Sequence, residues 1–181
     1  IKHFKKKNLF PVAIGCTISK KNVWDVNELL DFLIEEKIYG RFRVAEFISR
    51  LYNSDRNDVI RNFSDEEKYH LACFFKKLED EFETNETYKR TYRSIRNILL
   101  NGNRTIACPY QKSGVVLNSK GELQYCAPKS KVIGSGLKES SINLYKNNLK
   151  ERKRIYDDEC NDCIHDYHAP ISSKEYLESE T

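Results

Sequence analysis

Four of the six cysteines share one region with the spacing C-x17-C-x33-C-x2-C: Cys108, Cys126, Cys160 and Cys163. This pattern constrains the fold more than any hydrophobic periodicity, because side chains far apart in sequence must meet at one point. The Cys160–Cys163 knuckle offers two thiolates from a single tight turn. Cys126 closes the string VVLNSKGELQYC, which reads as a hairpin turning at Asn118-Ser-Lys-Gly121. Four thiolates complete the coordination of one zinc ion or one [4Fe–4S] cluster. A paired C-x2-C … C-x2-C would mark a zinc ribbon. Only one half of the quartet is such a knuckle, so spacing alone leaves the metal open.

The alternative, a disulfide framework, suits an oxidising compartment. No apolar h-region with a small-residue cleavage site is visible in the opening IKHFKKKNLFPVAIGC, so a reducing cytoplasm is expected, where such clusters bind metals or act in catalysis. The chain begins with Ile and contains no Met, which suggests a piece of a longer protein. Cys16 and Cys73 stand alone in apolar contexts and are expected to be small buried hydrophobes. With 39% hydrophobic and 32% charged residues, and no apolar run near the roughly 20 residues of a membrane helix, membrane association is not expected. The net charge of +4 describes a mixed surface. Lys5–Lys7 and the stretch from Lys146 to Arg154 are basic but read as solvated faces. The Phe and Tyr residues sit at helical spacing, as core residues do, and nucleic acid is not an expected partner.

Residues 11–18, PVAIGCTI, read as a buried strand. Asn22 is placed as the N-cap of a helix over about 23–36, with Val26, Leu29, Leu30, Leu33 and Ile34 on its apolar face. RFRVAEFI after Gly40 reads as a second strand. Strand, helix and strand with short joins form a βαβ unit with parallel strands. Ser64-Asp-Glu-Glu67 is a capping box opening a helix through Phe82, and a second amphipathic helix spans about 86–100, ended by Asn101-Gly102-Asn103. Composition shifts near residue 104: three of the four prolines and four of the seven glycines follow it. Gly134-Ser-Gly136 reads as a flexible loop, Ile142–Ile155 as one helix, and 171–181 as a polar tail.

Cys108-Pro109, then Gly121-x4-Cys126 across a hairpin, then Cys160-x2-Cys163 resembles the twitch or SPASM domain at the C-terminal end of radical SAM enzymes. The buried strand ending Thr-Ile-x-x-x-Asn, with its helix and second strand, is similar to the late βα units of their partial barrel. The resemblance spans about residues 10–168. It implies an α/β chain: the C-terminal part of a partial TIM-like barrel with linking helices over 1–104, and a small cysteine-rich α+β domain over 105–170. It further implies an auxiliary [4Fe–4S] cluster on Cys108, Cys126, Cys160 and Cys163. No further cysteine follows Cys163, so the shorter, single-cluster twitch form is the better match.

The family's C-x3-C-x2-C, which binds the cluster that cleaves S-adenosylmethionine, is absent. The resemblance therefore implies a catalytically incomplete piece of an oxidoreductase. S-adenosylmethionine and a second [4Fe–4S] cluster would belong to the full-length enzyme, with the missing N-terminal half as partner and a peptide, protein or small sugar-like molecule as substrate. It also places Asn22, Arg43 and Glu46 on the S-adenosylmethionine or substrate side of the barrel. Read from the residues alone, Asn22 is a cap, and Arg43 and Glu46 are structural ion-pairing groups on opposite faces of a strand. His165 and His168 are either surface groups, hydrogen-bond donors to the cluster sulfurs, or ligands of a Cys/His zinc site. The alternative function is a zinc-stabilised four-cysteine binding module without catalysis.

Overall fold

Among the described residues up to Asn101, apolar periodicities build one layer of sheet and three α-helices around one core. The computed structural model describes residues 12–45, 62–102, 104–105, 108–111, 114–161 and 163–164, and these form a mixed α/β fold. Strand β1 (Ala13–Ile18), helix α1 (Val26–Glu36) and strand β2 (Tyr39–Val44) make the expected βαβ unit. The strands are parallel, in register from Ala13 opposite Tyr39 to Ile18 opposite Val44. On α1, Val26, Leu30 and Leu33 are buried, whereas Ile34 is exposed. Gly40 lies where the returning strand passes under the helix: a Cβ there would stand 2.3 Å from Leu33 Cδ1.

Asn22 is not the cap of α1. The helix starts three residues later, after Asp25, with no side-chain cap. Asn22 instead ties the turn back to the end of β1. Its Oδ1 accepts from the Ser19 N–H at 2.7 Å and its Nδ2 donates to the Thr17 carbonyl at 3.1 Å. This local pairing occupies the carbonyl of the strand's penultimate residue, and so competes with capping.

Helix α2 (Asp65–Lys77) opens on the capping box read from the sequence. Ser64 Oγ accepts from the Glu67 N–H at 3.2 Å, and Glu67 Oε2 accepts from the Ser64 N–H at 2.6 Å. The helix does not run unchanged to Phe82. Residues Leu78–Phe82 form a π-helical turn that buries Leu78 and Glu79. The Glu79 carboxylate, 8% exposed, accepts from Arg93 Nε at 2.9 Å and Arg96 Nη1 at 3.1 Å, both on helix α3 (Glu86–Asn101). Pairing of this kind is what makes burial of the carboxylate tolerable. Leu71, Phe74, Phe75, Tyr92 and Ile95 complete the core with Ile18, Leu30, Leu33 and Phe42. Cys73 breaks expectation: it is exposed, because its neighbours 71, 72, 74 and 75 occupy the buried side of α2. Cys16 is half-buried and packs against the core.

The cysteine-rich region has a small core of its own. Strands β3 (Val116–Leu117), β4 (Glu122–Gln124) and β5 (Gly134–Ser135) form an antiparallel sheet in that order. Its first turn is the one expected: Asn118 Oδ1 accepts from the N–H groups of Lys120 and Glu122, and Gly121 takes the left-handed backbone at φ 74°. Gly134-Ser-Gly136 is not simply a loop, since its first two residues pair with Leu123 and Glu122. The expected single helix is two, α4 (Ser141–Asn147) and α5 (Leu149–Glu159). The break falls at Asn148, whose side-chain Nδ2 donates to the Leu144 carbonyl at 2.8 Å. Tyr125, Cys126 and Ile155 form the buried centre, with Tyr110, Ile133, Tyr145 and Cys160 packed against it.

The two clusters are joined at the chain's later end. Ile164, 4% exposed, belongs to the first core, one residue after the last cysteine. Arg104, just beyond α3, donates its backbone N–H to the Asn161 carbonyl at 2.7 Å and its Nη1 to the Cys163 carbonyl at 3.0 Å. Ile164→Ala should therefore lower unfolding stability by about 2–5 kcal/mol, the usual range for truncating a buried aliphatic side chain, read as a shifted urea midpoint. An unchanged midpoint would show that the C-terminal end does not brace this core.

Candidate metal centre

Each cysteine is placed by a turn rather than by the middle of an element. Cys108 precedes a short 3-10 turn (Pro109–Gln111), closed by the Gln111 N–H on the Cys108 carbonyl at 2.9 Å. The Gln111 side chain returns the bond, its Oε1 accepting from the Cys108 N–H at 3.1 Å. Cys126 follows β4, at the mouth of a turn that Ser130 holds. The Ser130 Oγ accepts from the Tyr125 N–H at 3.0 Å, and its carbonyl accepts from Gln124 Nε2 at 2.9 Å. Cys160 caps α5, and the Cys163 N–H reaches back to the Cys160 carbonyl at 3.4 Å, closing the knuckle.

These turns bring all four cysteines of the quartet to the wall of one cavity of about 30 Å³. Arg104, Lys129 and Arg152 share that wall, and among the described residues no carboxylate or imidazole does. The donors that the described residues supply are sulfurs in a cationic frame, which suits a soft metal or an iron–sulfur centre. Among the described residues, no group of three or more His, Cys, Asp or Glu side chains stands in metal-holding geometry. The sulfur donors have the chemistry of a thiolate-bound centre, and in this structure they line the cavity without standing in metal-holding geometry.

The surroundings act on the thiols in opposite directions. Burial pushes the Cys108 thiol up, against the Arg104 guanidinium and the N–H groups of Tyr110 and Gln111, which favour the thiolate. Burial also raises Cys126, opposed by the N–H groups of Lys129 and Ser130 and reinforced by nearby Cys108 and Glu159. Cys160 is pushed up to about 11, first by burial and then by Cys126 and Cys108, while the Gln111 side chain and Arg104 oppose the rise. Neutral thiols are favoured first because burial disfavours the charged form, and at Cys126 and Cys160 also because neighbouring thiolates would repel; a bound cation would reverse that preference.

The other residues singled out from the sequence lie elsewhere. Asn22 sits in the turn after β1 and Arg43 is exposed on β2 opposite Thr17; neither lines the cysteine cavity. Both lie toward the C-terminal ends of the parallel strands. Glu46, His165, His168 and the polar tail lie outside the described residues. Cys16 and Cys73 do not line the cavity either. Sequence reasoning missed Arg104, Gln111, Lys129 and Arg152. None carries a motif; only their proximity in sequence to a cysteine or its turn hints at a role. No helix among the described residues is long and apolar enough to cross a membrane. Comparison with family models, with curated proteins and with solved structures found no match.

The thiol shifts set a pH dependence. In chelator-treated protein, the folded Cys160 thiol titrates near about 11 rather than 9.0. The folded state thus holds its proton more tightly than the unfolded state. The resulting stabilisation is complete below 9.0 and disappears as pH rises through about 11. Urea midpoints should fall over that window, and fall less in Cys160→Ala. Per-residue alkylation followed by mass spectrometry should place half-reaction of Cys160 near pH 11. Half-reaction at or below pH 9 would show that the cavity does not shield this thiol.

Proposed function

We propose that this chain is the C-terminal part of a radical SAM oxidoreductase and holds an auxiliary [4Fe–4S] cluster on Cys108, Cys126, Cys160 and Cys163. The observation that carries the reading is that all four cysteines of the quartet line one cavity, together with Arg104, Lys129 and Arg152. Four thiolates around a cluster core leave a net negative centre, and three cations in the wall offset it. When bound, the cluster would supply one-electron transfer or a site for a substrate group. The chain's own residues would hold it, shield it from water and balance its charge.

The βα unit supports the same reading. Parallel sheets are ordinarily covered on both faces. Here one face packs on α1 and the core, while Thr17, Arg41 and Arg43 alternate onto the other. In a partial barrel that second face is the lumen, and functional residues gather at the C-terminal strand ends. Asn22 and Arg43 would lie there, toward S-adenosylmethionine or a peptide, protein or small sugar-like substrate. The missing N-terminal half of the same cytoplasmic protein would complete the barrel and carry the second cluster.

Anaerobic reconstitution with iron and sulfide should give a brown protein with broad visible absorbance and about four irons per chain. Release of 5′-deoxyadenosine from S-adenosylmethionine should not occur, because the cleaving motif is absent. One tightly held zinc per chain with no uptake of iron and sulfide would replace this reading with that of a zinc-stabilised binding module. Cys126→Ala and Cys163→Ala should each raise hydrogen exchange across 114–161 while α2 and α3 stay protected, since metal binding energy appears there as folding energy. Equal protection in loaded wild type and both variants would remove the quartet's structural role.

A further inference from the structure

Beside the cysteine cavity lies a second, more polar one of about 310 Å³. The end of α5 supplies one side of it. Tyr156 and Cys160 are four residues apart, as are Asp157 and Asn161, so the four share one face. Arg104, which follows α3, and Gln111, on the 3-10 turn, supply the rest. Tyr156, Asp157 and Asn161 are exposed and Gln111 is buried, so the cavity opens to solvent past α5 and has the amide at its floor. Arg104 and Asp157 bring one charge of each sign, and they do not pair with each other. Asp157 Oδ2 accepts from Lys153 Nζ at 2.6 Å, a solvent-exposed pair that a ligand ammonium can join or replace at little cost. Arg104 Nη1 donates to the Cys163 carbonyl at 3.0 Å, which fixes the guanidinium without cancelling its charge. The Tyr156 hydroxyl and the Asn161 carboxamide take no partner among the described residues.

We propose that this cavity binds a small zwitterion of the α-amino-acid type, its carboxylate on Arg104 and its ammonium on Asp157. The volume lies at the low end of the range usual for small-molecule sites, roughly 300–1,000 Å³. The charges select the class of ligand. An anion alone meets the Asp157 carboxylate, and a cation alone meets the Arg104 guanidinium. A neutral polyol pairs its charge with neither. A zwitterion meets an opposite charge at each end, and carboxylate on guanidinium is among the stronger hydrogen-bonded pairs. An apolar molecule finds no aliphatic side chain on the wall among the described residues. Asp157 and Asn161 line this cavity and not the first, whereas Arg104, Gln111, Tyr156 and Cys160 line both. Binding therefore needs no metal. A role for the bound molecule as substrate rests on the reading of the quartet as a metal site, because Cys160 would then place it beside the centre.

The probes are the proteinogenic L-amino acids, titrated one at a time by calorimetry into the full chain after anaerobic reconstitution, whatever it has taken up. At least one should bind saturably. The methyl ester of that amino acid, which lacks the carboxylate, and its N-acetyl derivative, which lacks the ammonium, should each bind about 10- to 100-fold more weakly, the scale of one charge-assisted hydrogen bond. Asp157→Asn should weaken the amino acid to a similar extent and leave the N-acetyl derivative no weaker than in wild type, a coupling that general loosening of α5 would not produce. Far-ultraviolet circular dichroism checks that the variant folds; if it does not, Asn161→Ala takes its place, with weakened binding of the amino acid expected. Saturable binding by none of the amino acids overturns the proposal, as does an ester or N-acetyl derivative that binds as well as the parent. Wild-type affinity in the folded variant places the site elsewhere and overturns it too. Binding by a chain that takes up neither zinc nor iron and sulfide keeps this proposal and removes the metal-centre reading; cluster uptake with no binding does the reverse.

Discussion

Burying several thiols around one cavity is inexpensive while they are neutral and costly once they ionise, and the cysteine-rich half of this protein is organised around that asymmetry. Burial raises Cys108, Cys126 and Cys160 together, and the proximity of the sulfurs raises Cys126 and Cys160 further. Against this stand N–H groups aimed at Cys108 and Cys126, the Gln111 amide at Cys160, and the guanidinium of Arg104. Those groups favour thiolates only weakly while the cavity is empty. A bound cation would neutralise part of the charge and tip this balance toward thiolates.

The architecture around the cavity follows from its need for fixed turns. A segment with short strands and sparse apolar residues cannot hold four loops by burial alone. It does so with polar ties: Asn118 at the hairpin, Ser130 at the turn after Cys126, Asn148 between α4 and α5, and Arg152 across to the 3-10 turn. Arg154 contributes likewise, joining Glu151 and Glu159 on α5 to the Lys129 carbonyl. The small core of Tyr125 and Ile155 fills what remains, with the Tyr125 hydroxyl donating to the Tyr145 carbonyl.

Where a long apolar stripe decides the outcome, the sequence is legible. The faces of α2 and α3, the capping box at Ser64, and the parallel pairing of β1 and β2 all read directly from residue spacing, because burial of those stripes outweighs any local alternative. That Cys108, Cys126, Cys160 and Cys163 would gather in one place was legible from their spacing, and they line one cavity. What was not legible is decided by single polar side chains. Asn22 and Asn148 each had two comparable hydrogen-bonding options, and tertiary position chose between them. Whether Gly134-Ser-Gly136 pairs with a strand depends on the neighbouring β4 edge, which no periodicity in its own residues reports. Gln111 and Arg152 are 41 positions apart, and nothing in either local sequence announces the contact.

The join between the two cores bears on how a bound centre communicates with the rest of the protein. Cys163 is the last cysteine of the quartet, and the next residue, Ile164, is buried and belongs to the first core. The carbonyl of Cys163 is held by Arg104, which leads directly out of α3. A displacement of Cys163 would therefore work against packed side chains of the core that carries β1 and β2, and close-packed interiors are stiff and shift between discrete arrangements rather than deforming gradually. Rigidity is the simpler outcome. The knuckle is anchored to the same body as the parallel sheet, so a centre held there keeps a fixed distance from the strand ends at Asn22 and Arg43. Fixed distance is what electron transfer or substrate placement between two sites requires, and a knuckle on a free tail would not supply it.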